Sequence, residues 1–273
     1  MNLCNDALEM LKQTSRTFYI PINRLPSGLK EAVASAYLCM RAIDEIEDHP
    51  GLTNDIKAQR LRQISAALQA GPEKKVFDDL STSLNQDSHP LEEVTIRIGE
   101  WSLLAPPEIA PRIWDATAAM ADRMAYWADR NWTVKTKADL DQYTFSVAGA
   151  VGLLLSDLWA WNDGTQTNRV HAIGFGRGLQ SVNILRNGKE DGQRGVDFYP
   201  ENWTKKEMDS YARYNLALAD AYTASLPKGP ALDFCRLPLT LAYATLNAMA
   251  NGEEKLSRHT VIKLVEQVFS SKR

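Results

Sequence analysis

Strict alternation of apolar and polar residues, the pattern a half-buried strand requires, is nearly absent from this 273-residue chain. Turn-forming residues instead come in widely spaced groups: Pro26-Ser27-Gly28, His49-Pro50-Gly51, Gly71-Pro72, His89-Pro90, Pro106-Pro107, Asp163-Gly164 and the stretch from Pro227 to Pro230. Between them run segments of roughly 12–25 residues with apolar positions at helical spacing, such as Leu61, Ile64, Leu68 and Ile96, Trp101, Leu104. The pattern predicts about ten helices and no sheet. No linker, low-complexity tract or internal repeat interrupts it. The simplest reading is an all-α fold in a single domain over residues 1–273.

A hydrophobic share of 44% supports a sizeable core in a chain of this length. The net charge of −3 gives no basic field, which excludes nucleic acid as a partner. It does not exclude an anionic substrate, because a bound cation would supply local positive charge. Cys4, Cys39 and Cys235 are too few and too scattered for a disulfide framework or a zinc site, and Cys39 reads as a small core residue. His49, His89, His171 and His259 show no metal-ligand spacing. The first residues lack the basic start and apolar block of a secretory signal, and Phe269 to Arg273 show no anchor. The most apolar stretch, Val147 to Leu155, is too short to cross a bilayer. The expectation is a cytoplasmic protein with no integral membrane segment, with peripheral membrane contact as the route to a greasy substrate.

Two polar stripes stand out. Tyr37, Arg41, Asp44 and Asp48 lie at steps of three and four in YLCMRAIDEIED, and Gln180, Asn183, Asn187 and Asp191 do the same in QSVNILRNGKED. Such steps keep side chains on one face of a helix. Asp44, Glu45, Glu47 and Asp48 put four carboxylates in five residues, which repel one another on an isolated helix. A solvated acidic helix end is one reading. The other is a cation site, because Ala34, Ala36, Leu38 and Met40 make the preceding turns strongly apolar, and buried charge must be paired or metal-bound. Two facing stripes of this kind would hold hard cations, and hard cations hold diphosphate.

These residues also carry a resemblance. Gln13 to Phe18, followed by Tyr37, Arg41 and Asp44 to Asp48, resembles the opening of the squalene/phytoene synthase family. Tyr143-x3-Val147-Ala148-Gly149-x2-Gly152 looks like its central helix. Asn183 to Arg186, Glu190-Asp191, Arg194-Gly195 and Phe198-Tyr199-Pro200 look like its second metal-binding segment. The resemblance implies an isoprenoid-synthase helical bundle with a central cavity, with Mg²⁺ bridging two acidic helices and the diphosphate of a prenyl substrate. By that carry-over Asp44, Asp48, Asn183, Asn187 and Asp191 hold metal. Ser15, Arg16, Tyr37, Arg41, Gln180, Arg186, Arg194 and Tyr199 surround the diphosphate. Tyr143, with Asp44 and Asp48, serves catalysis. Val147, Ala148, Gly149 and Gly152 keep side chains small where a prenyl chain passes, although the same run suits tight helix packing and both can hold together.

The second segment departs from the family, which usually has an aspartate where Asn187 stands. Asparagine offers a neutral oxygen but no charge, and Lys189 adds a positive one. Either Asn183, Asn187 and Asp191 still hold Mg²⁺, or one metal position is lost. Arg177 stands where the family usually has an apolar residue and is read as a surface arginine on the far side of its helix. Ser146 stands where squalene synthases commonly place an aromatic residue, opening the cavity or adding a hydroxyl. The seven tryptophans read as core and rim. The resulting expectation is a Mg²⁺-dependent prenyltransferase that joins two prenyl diphosphates head to head. The alternatives are transfer of one prenyl group to a small aromatic acceptor, cyclisation or diphosphate hydrolysis, and a non-catalytic assembly or carrier protein.

Overall fold

Helices stop at several of the turn-forming groups, among them Pro26 to Gly28, Pro50-Gly51, Gly164 and Pro227 to Gly229. The computed structural model describes residues 3–71, 73–85, 89–193 and 195–270, with the Arg16 side chain outside the described set. Among the described residues there are fourteen α-helices, one π-helical turn and no strand. The excess over ten comes from pieces too short to show a period, notably α6 (Glu93–Ile96) and α7 (Ile98–Ser102), and from a cap at Ser15 that separates α1 (Leu3–Thr14) from α2 (Arg16–Asn23). By its contacts the chain divides into two compact units, Met1–Trp132 with Ala160–Asp163, and Thr133–Trp159 with Gly164–Arg273.

The first unit is organised around α3 (Leu29–Asp48). Gly28 starts it with φ at 85°, a left-handed setting that a side chain would disfavour, and its N–H is accepted by Glu31. Leu38, Cys39, Ile43 and Ile46 of α3 are fully buried. Two hydroxyls satisfy carbonyls around that buried face: Ser35 Oγ donates to the Trp101 carbonyl at 2.7 Å, and Thr95 Oγ1 donates to the Ala42 carbonyl at 3.1 Å. α4 (Asn54–Ala70), α5 (Lys74–Asn85) and α8 (Ala110–Asp129) complete the unit, with α4 packed along α8. The stop after α8 uses neither Gly nor Pro. Asn131 and Trp132 both turn left-handed, with φ at 52° and 55°. Trp132 Nε1 donates to Asn54 Oδ1 at 3.2 Å, and Asn54 Nδ2 donates to Asn131 Oδ1 at 2.8 Å. Those bonds and the burial of Trp132 hold a conformation that isolated residues would avoid.

The second unit contains α9 (Lys137–Thr144), the π-helical turn Phe145–Gly149 and α10 (Ala150–Asp163) as one run, although the last four residues of α10 belong to the first unit. α11 (Arg169–Gln193), α12 (Lys205–Ser225), α13 (Pro230–Ala250) and α14 (Arg258–Ser270) follow. α11 is rich in glycine, which by itself weakens a helix by about 1 kcal/mol per residue. Close approach offsets that weakness. A Cβ on Gly176 would lie 2.0 Å from the Ala148 carbonyl oxygen, and one on Gly152 would lie 2.1 Å from the Ala172 oxygen. The pairings run in opposite order along the chain, so α11 lies antiparallel to the π-turn and α10. On another side of α11, Gly174 meets Leu218 and Gly178 meets Leu216 of α12. The glycine at 152 therefore serves helix packing. So does Gly149, which faces Phe145 and Ile173.

One further expectation changes. The continuous helix Lys137–Asp163 is long and apolar enough to cross a membrane by length and composition, contrary to the reading of Val147–Leu155 as too short. Periodicity hid this because α9 and α10 look like separate segments. Leu154, Leu158 and Trp159 of this helix are fully buried core residues, and Ser156 Oγ meets the Tyr222 hydroxyl at 3.0 Å.

Candidate active site

On α3 the four predicted stripe residues share one face, as their spacing requires. Burial raises the pKa of the Tyr37 hydroxyl against the lowering effect of Ser15 and of the Arg41 charge. Its ring tilts against Phe18 at 5.5 Å. Ser15 also caps α2, its hydroxyl accepting the Phe18 N–H at 3.2 Å. Arg41 forms an ion pair with Glu45 one turn on. That leaves Arg41 Nε and Asp44 Oδ1 as buried atoms with no hydrogen-bond partner. Burial pushes the Asp44 carboxyl up to about 7; Arg41 lowers it, while Asp48 and Glu45 add to the rise. Asp48 is exposed, and Glu47 is buried, with Lys57 donating to its carbonyl.

The position of this cluster matters as much as its charge. The last turn of α3 carries no basic residue, and a helix C-terminus is itself the negative end of the macrodipole. Carboxylates gathered there are destabilising until positive charge arrives.

On α11, Gln180, Asn183 and Asn187 are half-buried and Asp191 is buried. They continue the face that Gly176 begins, at steps of four, three, four and four, so the stripe starts where α11 leaves the π-turn. Asn183 Nδ2 reaches Gln180 Oε1 at 3.4 Å, and Arg186 Nε donates to Asn187 Oδ1 at 3.0 Å. Lys189 does not load the stripe with charge as its position suggested. It is exposed and pairs with Glu254, which follows α13. Tyr199 is half-buried in the segment after α11, with its pKa raised by burial and by Asp197. Arg194 lies outside the described residues, as does the side chain of Arg16.

Tyr143 is 2% exposed and stacks on Phe198, with ring centroids 4.3 Å apart and planes within 14°. Val147 and Ala148, beside it on the π-turn, remain half-buried. Ser146 spends its hydroxyl on the Gln142 carbonyl at 2.7 Å.

Arg177 is not a surface arginine on the far side. Its Nη2 donates to the Asp141 carbonyl at 2.8 Å, across from α11 to α9. Asp141 belongs to a group that sequence reasoning missed: Tyr211 of α12 donates to Asp141 Oδ1 at 2.7 Å, Lys137 pairs with Oδ2 at 2.9 Å, and the Thr144 hydroxyl lies 3.2 Å from that of Tyr211. Asp141 and Tyr211 are seventy residues apart, and no periodicity links them.

Both stripes offer only oxygen donors on their predicted metal positions, a set suited to hard cations such as Mg²⁺ rather than to zinc or copper. Among the described residues no three His, Cys, Asp or Glu side chains converge into a ready-made metal site. The partnerless Asp44 oxygen fits a cation all the same, since it is a buried acceptor on an already negative helix end.

Residues 11–210 match the family model described as Squalene/phytoene synthase. Squalene synthase of Schizosaccharomyces pombe is 29% identical over 286 residues, covering 93% of this chain and 61% of that protein. Squalene synthase of Homo sapiens is 28% identical over 272 residues, covering 89% and 63%, and that of Candida albicans is 31% identical over 290 residues, covering 94% and 63%. The chain thus spans about three-fifths of the length of these relatives. A solved TcSQS in complex with a ligand superposes with a TM-score of 0.78 at 22% identity, over 96% of this chain and 85% of that one. A solved dehydrosqualene synthase superposes with a TM-score of 0.64 at 19% identity, over 98% and 96%. The shared architecture is the all-α isoprenoid-synthase fold.

Proposed function

The chain belongs to the squalene/phytoene synthase family, and from that premise we propose that it is a prenyltransferase that ionises an allylic prenyl diphosphate and joins two such molecules head to head. The observation that carries this reading is Asp44: a buried carboxylate oxygen without a partner, on the acidic end of α3. A group so placed is destabilising to the fold and has its use when a cation binds. Asp44 and Asp48 on α3, and Asn183, Asn187 and Asp191 on α11, are the oxygen donors that would hold Mg²⁺. When bound, Mg²⁺ supplies neutralisation of the leaving diphosphate.

The remaining work falls to the chain's own groups. Arg41 and Arg186 offer guanidinium donors to diphosphate oxygens, with geometry suited to such a group. Tyr37, whose phenol stays protonated through its raised pKa, lies one turn before Arg41 on the same face, with its ring against Phe18. Tyr143, held flat against Phe198, presents an aromatic face or a hydroxyl beside the half-buried Val147 and Ala148. An allylic cation survives where water is excluded, and these apolar neighbours serve that end. Asn187 in place of an aspartate favours a second reading, in which one diphosphate is handled and a single prenyl group passes to another acceptor such as an aromatic ring.

The test is incubation of the full chain with farnesyl and dimethylallyl diphosphates, with and without Mg²⁺, followed by diphosphate assay and product mass spectrometry. Mg²⁺-dependent release with a product of two joined prenyl chains supports the main reading. A single prenyl group joined to an aromatic acceptor added to the same mixture supports the second. No release from any prenyl length overturns both and leaves an assembly or carrier role.

A further inference from the structure

The geometry points to Arg177 as a positioning residue for the Tyr143 segment: from α11 it fixes the carbonyl of Asp141 at the entrance to the π-turn and so sets how the Tyr143 ring is presented. The role rests on the prenyl-transfer reading for its functional half, and on packing alone for its structural half.

A π-turn widens the helix and disturbs the regular carbonyl-to-amide ladder at its entrance. Here three side chains supply extra donors to successive carbonyls. Thr144 Oγ1 donates to the Leu140 carbonyl at 2.7 Å, Arg177 Nη2 to that of Asp141 at 2.8 Å and Ser146 Oγ to that of Gln142 at 2.7 Å. The first and third donors lie within the same run of helix and move with it. Arg177 alone of the three comes from another helix, so it is the one that ties the turn to α11. It can do so because Gly176, the residue before it, lets the α11 backbone close on Ala148.

The Asp141 side chain is clamped as well, by Tyr211 and Lys137, while Tyr211 packs against Trp203 with centroids 5.8 Å apart. Two residues on from Asp141, the Tyr143 ring meets Phe198. The backbone that carries Tyr143 is therefore restrained on both sides of the ring. Removing Arg177 takes away the tie from α11 to the Asp141 carbonyl and the approach of its Nη1 to Asp141 Oδ1 at 4.0 Å, while the Phe145 N–H and the Thr144 hydroxyl still meet that carbonyl and Phe198 is untouched, which makes the effect separable. Tyr143 would keep its stacking partner and lose its angular setting.

The experiment compares wild type, Arg177→Leu and Arg177→Lys by amide hydrogen exchange of residues 141–149 and by steady-state kinetics on a prenyl diphosphate. Arg177→Leu should raise exchange in that segment by about tenfold while amides of α12 and α13 stay as in wild type. It should lower kcat by about ten- to a hundredfold with KM within about twofold. Arg177→Lys keeps a donor on a stem of similar length and should recover most of both losses. Wild-type exchange in Arg177→Leu overturns the role. So does a loss of kcat without faster exchange, which would mean direct contact with substrate, and so does an equal loss in the lysine variant. If wild type itself releases no diphosphate, the activity reading fails, and the exchange arm still decides whether Arg177 holds the turn.

Discussion

Replacing Asp44 with asparagine should make the protein more stable at alkaline pH while removing its Mg²⁺ response. The carboxyl stands at about 7 against an ordinary 3.8, mainly because burial disfavours its charge. A group whose folded pKa is raised holds its proton longer in the folded protein than in the unfolded chain. The contribution is therefore fully present below about pH 4 and is lost as pH rises towards about 7. A gap of about three units sets a ceiling of about 4 kcal/mol. The Asp44 residue keeps partial solvent exposure, so screening brings the working figure down to about 1–2 kcal/mol. Asparagine carries no charge to desolvate and keeps the shape. Urea unfolding of both proteins at about pH 4.5 and about pH 8 should show Asp44→Asn gaining about 1–2 kcal/mol over wild type across that interval. Adding millimolar Mg²⁺ at the higher pH should stabilise wild type alone, by mass action. A stability difference that is the same at both pH values, or an equal Mg²⁺ effect on both proteins, would refute the assignment of Asp44 as a buried, uncompensated cation ligand.

Other outcomes follow from packing and from the second stripe. Gly176→Ala should destabilise by about 3 kcal/mol or more, since its Cβ would sit 2.0 Å from a backbone oxygen that cannot rotate away, and calorimetry should show a fall in Tm of roughly 6–12 °C. Gly188→Ala, on the same helix with nothing within 4 Å, should instead gain about 0.5–1 kcal/mol from helix propensity. Opposite signs in one calorimetric comparison are the check, and a loss at both positions would mean that α11 tolerates no change for other reasons. Asn187→Asp should tighten Mg²⁺ binding by titration calorimetry, because an anionic oxygen replaces a neutral one. Unchanged or weaker affinity would mean that position 187 does not serve the metal.

Much of this was readable from residues alone, for identifiable reasons. Several helix breaks carry Gly or Pro and were placed by them, and the stripes at Tyr37 to Asp48 and Gln180 to Asp191 obey the 3.6-residue period that sequence expresses directly. What escaped were features without a local signature. The stop at Asn131 and Trp132 depends on Asn54, some eighty positions back, and no breaker marks it. Arg177 looked like a stray surface charge because its partner is a backbone carbonyl, which every residue has. Lys189 looked like a burden on the second stripe because Glu254 is too distant in the chain to be weighed with it. Gly152 matched a small-residue pattern that fits a passage for a long substrate or a close helix contact equally well, and only the approach of Ala172 separates the two.

The interlocked glycines of α11 have a mechanical corollary. With Gly174 and Gly178 seated on one neighbour and Gly176 on another, the rod has a single axial setting. Slippage by one residue would swing its amide edge through roughly 100° and drive a bulky side chain into the Ala148 oxygen. Asn183 and Asn187 are thus indexed by residues whose own role is helix contact. Substituting the asparagines alone would leave that indexing untouched, whereas an alanine two turns upstream would shift the whole polar stripe at once.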